Sequence, residues 1–411
     1  NLDLAKERVG NSKYGAAYSI NALDYSERSK LLETADIVVS MLPAHLHFEI
    51  VKDCVERKIP VITPSYLSDA IKGLDSLAKN NAIPVLNELG VDPGIDHMSA
   101  MKFLDDKRAE GARFLGFESF TGGLIAPESD DNPWNYKFTW NPRNVVLAGQ
   151  GGTVKFIQEG SYKYIPYHKL FRRTEVIDIP GYGKYEGYAN RDSLKYRETY
   201  GLHDIATIYR GTLRKKGFCK AWDMFVQLGA TDDSYVIEGS EHMTYREFIN
   251  SFLAYNPIDS VELKLKHYLN LRQDDDELWE KLESLNLFDQ NKTIGIRNAT
   301  PAMALQKILE DSWSLKPEDK DMIVMWHKFT YQRGNKQYET QSSMVCIGEN
   351  RERTAMAKTV GLPLGIAAKL ILEKKITDTG VLLPILPSIY QPILKELETE
   401  GIIFKESTRE V

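Results

Sequence analysis

Residues Ala82 to Gly111 read AIPVLNELGVDPGIDHMSAMKFLDDKRAEG. An apolar run ends at Leu89-Gly90, an Asp92-Pro93-Gly94 turn follows, and apolar positions at helical spacing continue from Ile95. Working backward, the same alternation recurs. ADIVVSML (Ala35–Leu42) precedes HLHFEIVKDCVERK (His45–Lys58), and IPVIT (Ile59–Thr63) precedes DAIKGLDSLAKNN (Asp69–Asn81). Repeated strand–helix alternation predicts an α/β fold, a parallel sheet covered by helices in the Rossmann manner. Open parallel sheets bind ligands beyond the carboxyl ends of their strands. The loops to watch are therefore Met41–His47, Thr63–Ser68 and Glu88–His97.

The turn at Asp92 offers the densest chemistry. Pro93 suits a first helical position and Asp92 the cap, which would leave backbone N–H groups aimed beyond the sheet. Glu88, Asp92, Asp96 and His97 gather four titratable groups at one strand end, a set suited to proton handling beside a ligand. The alternative is structural: Asp92 as a plain cap, Asp96 and His97 as packing residues. Ser65 and Tyr66 offer two hydroxyls at the neighbouring strand end. MLPAHLH (Met41–His47) resembles the loop over which a nicotinamide dinucleotide lies in two-domain dehydrogenases. His45 and His47 form no metal set with nearby Cys, Asp or Glu.

Beyond Gly111 the texture changes. RFLGFESF and the Gly-, Pro- and aromatic-punctuated stretch to Asn190 predict a mixed sheet, and residues 218–312 turn helical and charge-rich. Asp274 to Asp276 reads as a solvated helix start rather than a metal site. MIVMWHKFTYQ, RGNK and QYETQSSMVCIG predict a long hairpin, and an apolar helix and a charged tail close the chain. The expected domains are 1–111 (the remainder of a Rossmann domain), 112–217 (mixed α/β), 218–312 (helical insertion) and 313–411 (mixed α/β, with helices packing back on the first domain). Arginines at YANRDS (Tyr188–Ser193) and RGTLRKKG (Arg210–Gly217) are expected in loops or strand ends, where the guanidinium fork suits carboxylates.

The bulk numbers exclude some classes. With 52 Lys+Arg against 58 Asp+Glu, a net charge of −6, the chain is a poor match for nucleic acid. Cys54, Cys219 and Cys346 are too few and too scattered for a disulfide framework or zinc ribbon, which suits a reducing, cytoplasmic setting. The longest apolar candidate, Val360–Leu372, is interrupted by Gly361, Pro363, Gly365 and Lys369, so no membrane span is expected. No G-x-G-x-x-G phosphate loop occurs; the nearest cluster, Gly149-Gln150-Gly151-Gly152, follows no clear strand. The opening NLDLAKERVG reads as a helix, placing a first strand and its glycine turn upstream of Asn1.

Several segments together resemble the saccharopine reductases, the L-glutamate-forming saccharopine dehydrogenases. They are TPSYLS, NELGVDPGIDHMSAMK, GGLIAPESDDNPWNYKFTW, ANRDS, YRGTLR and TAMAKTVGLPLGIAAKLIL, spread across the chain. The resemblance implies a Rossmann domain, a mixed α/β substrate and dimer domain with a helical insertion, and a homodimer. It also implies NADP, ahead of NAD, as cofactor and no metal. The implied reaction condenses glutamate with 2-aminoadipate 6-semialdehyde to an imine, then reduces it by hydride to saccharopine. By the same resemblance Arg191 and Arg214, with the Thr212-Leu213 backbone, grip carboxylates. Ser65, Tyr66 and Asp92 hold the amino-acid end, Tyr66 and Asp92 as the orienting catalytic groups. The implied cofactor contacts are Asp24 and Tyr25 near adenine, then Leu42, Pro64 and Ser65. The turn Val91, Asp92, Pro93, Gly94, Ile95, Asp96, His97 and Met98 lies near nicotinamide, and Asn141 completes the set. Thr121 stands where relatives often carry cysteine. Another amine dehydrogenase, or a non-catalytic binding protein of the same fold, are the rival readings.

Overall fold

Strands too short to bury a face alone gain stability only by pairing side by side beneath helices. The structure, a computed structural model, describes residues 2–272 and 275–411. Among them the strands are, in chain order, β1 Val38–Val39, β2 Val61–Ile62, β3 Pro84–Leu86, β4 Arg113–Ile125, β5 Val154–Gln158, β6 Ser161–Ile165 and β7 Thr174–Ile179. There follow β8 Gly183–Ala189, β9 Thr207–Lys215, β10 Asp321–Arg333, β11 Lys336–Ile347, β12 Gly380–Leu382 and β13 Lys405–Glu410. The chain forms two compact units, Asn1–Lys102 with Val360–Thr399, and Phe103–Thr359 with Glu400–Val411.

The first unit holds the anticipated parallel sheet, in the order β1-β2-β3-β12. Val51, Cys54 and Val55 of the helix His47–Glu56 pack with Val61, Ala78 and Val85 to form its core. The stretch read as one helix from Asp69 breaks at Gly73-Leu74 into Asp69–Lys72 and Asp75–Asn80, with Ser68 capping the first piece. Asp75 accepts from the Val381 N–H at 2.9 Å, which docks β12 beside it. The closing segment therefore does more than trail away. Val360–Thr399 clusters with the first unit, and the expected divisions at 111 and 313 fall elsewhere in the contact pattern.

The turn before the helix Ile95–Ala109 differs from the expected cap. Asp92-Pro93 is a cis peptide, the helix starts two residues after Pro93, and Asp96 accepts the Gly94 N–H at 2.6 Å. Gly90 donates to Pro93 O at 2.8 Å and accepts from the Ile95 N–H at 2.9 Å, so the Gly90 and Gly94 backbones press together. Gly94 has φ +148°, and a Cβ there would lie 2.0 Å from Gly90 O.

The second unit carries a mixed sheet in the order β13-β11-β10-β4-β9-β5-β6, with β8 pairing both β7 and β9. The long hairpin is β10–β11, and β4 lies between β10 (antiparallel) and β9 (parallel). An aromatic core of Trp134, Tyr136, Phe218, Trp222 and Trp313 joins this sheet to the helices Phe218–Leu228 and Pro301–Trp313. Within 218–312 the helix Tyr245–Ser251 begins with a Thr244/Glu247 capping box. Asp275 precedes the helix Asp276–Glu283 and pairs with Lys220, whereas Asp274 lies outside the described residues.

One correction concerns the helix Ala355–Leu372. Among the described residues it is long and apolar enough, by length and composition, to cross a membrane, although its glycines, Pro363 and Lys369 suggested otherwise. Ala355, Thr359, Leu364, Ala367 and Leu370 are buried, and core helices pass the same test. Asp321, at the start of β10, accepts from the Ala355 and Met356 N–H groups and so caps this helix from a distant strand.

Three stability outcomes follow from these contacts. Gly94→Ala combines a left-handed φ with a backbone clash and should cost about 3 kcal/mol or more in urea denaturation. Gly361→Ala, in the helix Ala355–Leu372 with nothing within 4 Å of the added Cβ, should instead stabilise by roughly 0.5–1 kcal/mol. Arg246 grips Glu262 with two bonds of 2.6 and 2.8 Å, and this guanidinium holds the Glu262 carboxyl down at about 2. Glu262 is one-third exposed, which discounts the gain, so Glu262→Gln should cost only about 1 kcal/mol at neutral pH. A depressed carboxyl pKa contributes stability above its unfolded value, so the gap between wild type and Glu262→Gln should narrow as pH falls from about 4.5 toward 2.

Candidate functional site

In the first unit the parallel register brings three loops to one edge. Ser40 N–H donates to Ile62 O, Thr63 N–H to Leu86 O and Asn87 N–H to Leu382 O, each at 2.9–3.0 Å, so successive strand ends are tied together. The helix His47–Glu56 starts just beyond β1 and turns His47 inward, 1% exposed. His47 Nδ1 lies 2.8 Å from Ser40 Oγ, and Nε2 lies 2.7 Å from Ser65 Oγ and 3.4 Å from Thr63 Oγ1. Burial pushes this imidazole below its ordinary pKa. The sequence flagged His47 only to dismiss it as a metal ligand; its position opening a helix after a strand-end loop was the available signal.

Glu88 holds the second loop at both ends. Its φ of 57° places it in the left-handed region, where its N–H donates to Ser65 O at 3.0 Å and its Oε1 accepts the Leu67 N–H at 2.9 Å. Its Oε2 meets His97 Nε2 at 2.8 Å. Tyr66, between the two gripped residues, reaches Asp92 Oδ1 with its hydroxyl at 3.5 Å. The two residues expected to orient substrate are thus brought together by a long hydrogen bond.

The other three acidic and basic groups of the set are engaged by protein partners. Glu88, Asp96 and His97 are at most 7% exposed; Glu88 and His97 pair with each other, and Asp96 secures the Gly94 N–H. Val91, Pro93, Gly94, Ile95 and Met98 are likewise buried, with Ile95 and Met98 at 0%. Of the turn from Val91 to Met98, only Asp92 has a half-buried side chain.

The outlying cofactor candidates serve local structure. Asp24 caps the helix Tyr25–Leu32, accepting from Ser26 and Glu27 N–H groups at 2.8 and 3.1 Å. Tyr25 is exposed, with the Arg28 and Arg57 guanidiniums each 5.9 Å from its ring. Leu42 packs against the first unit's core, Pro64 lies against Gly90, and both stay half-buried. In the second unit Asn141 caps the helix Pro142–Val146.

The arginines separate sharply. Arg191 is exposed at φ 52°, in the turn after β8. Arg210 lies inside β9, which runs without break through RGTLRK, and Arg214 is its next-to-last residue, at the strand end. Arg214 is 4% exposed, with ring centroids of Tyr136, Phe218 and Tyr188 at 5.0, 5.2 and 5.9 Å. Its Nη1 donates to Leu213 O at 2.9 Å, while its Nε has no partner. Glu186 sits opposite it in the β8–β9 register, but both carboxylate oxygens accept from the Gly217 and Cys219 N–H groups at the start of a helix. Among the described residues Arg214 has no carboxylate in ion-pair contact. Thr212 is half-buried and Leu213 fully buried; Thr121, beside Thr212 in register, keeps a buried hydroxyl without a partner. No group of three or more His, Cys, Asp or Glu among the described residues could hold a metal.

Comparison with known proteins is consistent along the whole chain. Residues 4–86 match the saccharopine dehydrogenase NADP binding domain, and residues 90–402 match the saccharopine dehydrogenase C-terminal domain. The saccharopine dehydrogenase [NADP(+), L-glutamate-forming] of Saccharomyces cerevisiae is 33% identical over 95% of this chain and 89% of its own length. The mitochondrial alpha-aminoadipic semialdehyde synthases of Rattus norvegicus and Mus musculus are 35% and 36% identical; the chain covers 43% and 41% of their lengths. The apo structure of the L-Glu-forming saccharopine dehydrogenase from Saccharomyces cerevisiae superposes with a TM-score of 0.89 at 30% identity, covering 100% of this chain and 92% of that one. With both domains matched and the fold shared end to end, the chain belongs to the saccharopine dehydrogenase family.

Proposed function

We propose that this chain interconverts saccharopine with L-glutamate and 2-aminoadipate 6-semialdehyde, an NADP-linked reaction at a CH–NH group in lysine metabolism. The observation that carries the reading is the unpaired cation of Arg214. Burying an ion costs several kcal/mol after relaxation, and each aromatic face returns only about 0.5–2 kcal/mol. A ligand carboxylate supplies the missing counter-charge, and saccharopine carries three. Exposed Arg191 offers a second fork, and Thr212 and Leu213 offer backbone groups beside Arg214.

On the first unit, Ser65, Tyr66 and Asp92 take the amino-acid end. The Tyr66 hydroxyl donates to Asp92, fixing which carboxylate oxygen faces the amine N–H of the substrate. NADP would be held by the loops beyond the carboxyl ends of β1–β3, where Leu42, Pro64 and Ser65 are half-buried and Asp92 is the half-buried residue of the Val91–Met98 turn. Bound there, it would supply the acceptor for the hydride on the carbon bearing the secondary amine. Aligned donor and acceptor matter more to such a transfer than a strong acid or base. The match to an NADP binding domain supports NADP over NAD. The reading includes a homodimer; the net charge of −6 argues against nucleic acid as a partner, and three buried free cysteines suit the reducing cytoplasm.

Reduced nicotinamide formed from saccharopine and NADP provides the test. The wild-type protein should turn saccharopine over, and Arg214→Met should lower kcat/KM by about 100-fold or more while leaving NADP affinity within roughly twofold. Wild-type protein inert toward saccharopine, or an unimpaired Arg214→Met, would refute the reading.

A further inference from the structure

Ser65 Oγ meets the buried ring of His47, while Ser65 itself remains half-buried. The ring touches a hydroxyl at each nitrogen: Ser40 at the end of β1 through Nδ1, and Ser65 in the loop after β2 through Nε2. A neutral imidazole has one N–H and one lone pair, so where it donates to one hydroxyl it accepts from the other. Burial favours that neutral form, and no charged neighbour contributes to the shift. A histidine kept only to fill a core needs no such pair of contacts, and neither of these ends on backbone.

We propose that His47 is a positioning residue that holds the Ser65 hydroxyl aimed at bound ligand. The inference rests on the reading above, in which Ser65 contacts substrate. Ser40 anchors the ring to the sheet, the ring fixes Ser65 Oγ, and the remaining hydrogen-bonding capacity of that hydroxyl faces the ligand.

Asparagine and glutamine separate the two contacts. An Asn amide occupies the place of Nδ1 and keeps Ser40, whereas a Gln amide reaches the place of Nε2 and keeps Ser65. Each variant gives up one buried hydrogen bond, so both should lower Tm by a similar few degrees. His47→Asn should raise the KM for saccharopine about tenfold, and His47→Gln about threefold at most, with kcat changing less than KM in both. In a Ser65→Ala background, His47→Asn should add nothing further to KM. If His47→Asn does not fold, His47→Leu, an apolar filler for the buried site, takes its place in the same comparison. Equal KM effects of Asn and Gln, or a full additional effect in the Ser65→Ala background, would overturn the proposal. Failure of the functional reading looks different, because wild-type protein would then leave saccharopine unoxidised.

Discussion

The candidate site of the first unit depends on one residue used three ways. Glu88 donates to Ser65 O through its N–H, accepts from Leu67 through Oε1, and meets His97 through Oε2. A backbone at φ 57° in a glutamate is uncommon and costs of order 1–3 kcal/mol. It persists because three hydrogen bonds, two of them made by the carboxylate, outweigh that cost. The consequence is geometric. Tyr66 is held between two pinned neighbours, and Asp92 is held between Glu88 and the helix that carries His97. Neither residue needs a ligand to find its place, which is what alignment-limited chemistry requires.

A second constraint operates in the sheet of the other unit, and there the same residue type does the reverse. Glu186 and Arg214 share a face of β8–β9, where a cross-strand ion pair would be the ordinary outcome. The helix Phe218–Leu228 begins at a left-handed Gly217 with no side chain to cap it, and Glu186 answers those free N–H groups instead. Capping the helix thereby strips Arg214 of its counter-ion. One half-buried acid is committed to backbone, and one buried base is left without a carboxylate partner among the described residues.

What could be read from residues alone followed locality. The strand–helix alternation of Ala35–Gly111 and the β10–β11 hairpin were legible because their periodicities sit in continuous windows. β12 was not, since three residues carry no period and its partner β3 lies nearly 300 residues earlier in the chain. The Asp92 cap was misplaced because Asp-Pro-Gly has more than one turn geometry, and the contact between Gly90 and Gly94 that selects this one is invisible in composition. Arg210 read as a loop or strand-end residue because flanking glycine and lysine mimic a turn, yet a strand interior tolerates both when its neighbours pair throughout. His47 escaped because its partners lie 7 and 18 residues away and meet it only through the register of β1 with β2.

Thr121 brings these threads together. It lies beside Thr212 in the β4–β9 register, with its hydroxyl buried and without a partner. A threonine hydroxyl neither titrates near neutrality nor enters thiol redox chemistry, so no step at this position can depend on a thiolate. What the position does retain is a polar atom on the strand next to the one that carries Thr212 and Arg214. An unsatisfied buried hydroxyl costs about 1–3 kcal/mol, and a ligand or water oxygen arriving beside Arg214 would satisfy it. On this face of the sheet, therefore, Thr121 contributes a polar atom beside Thr212 and no thiolate.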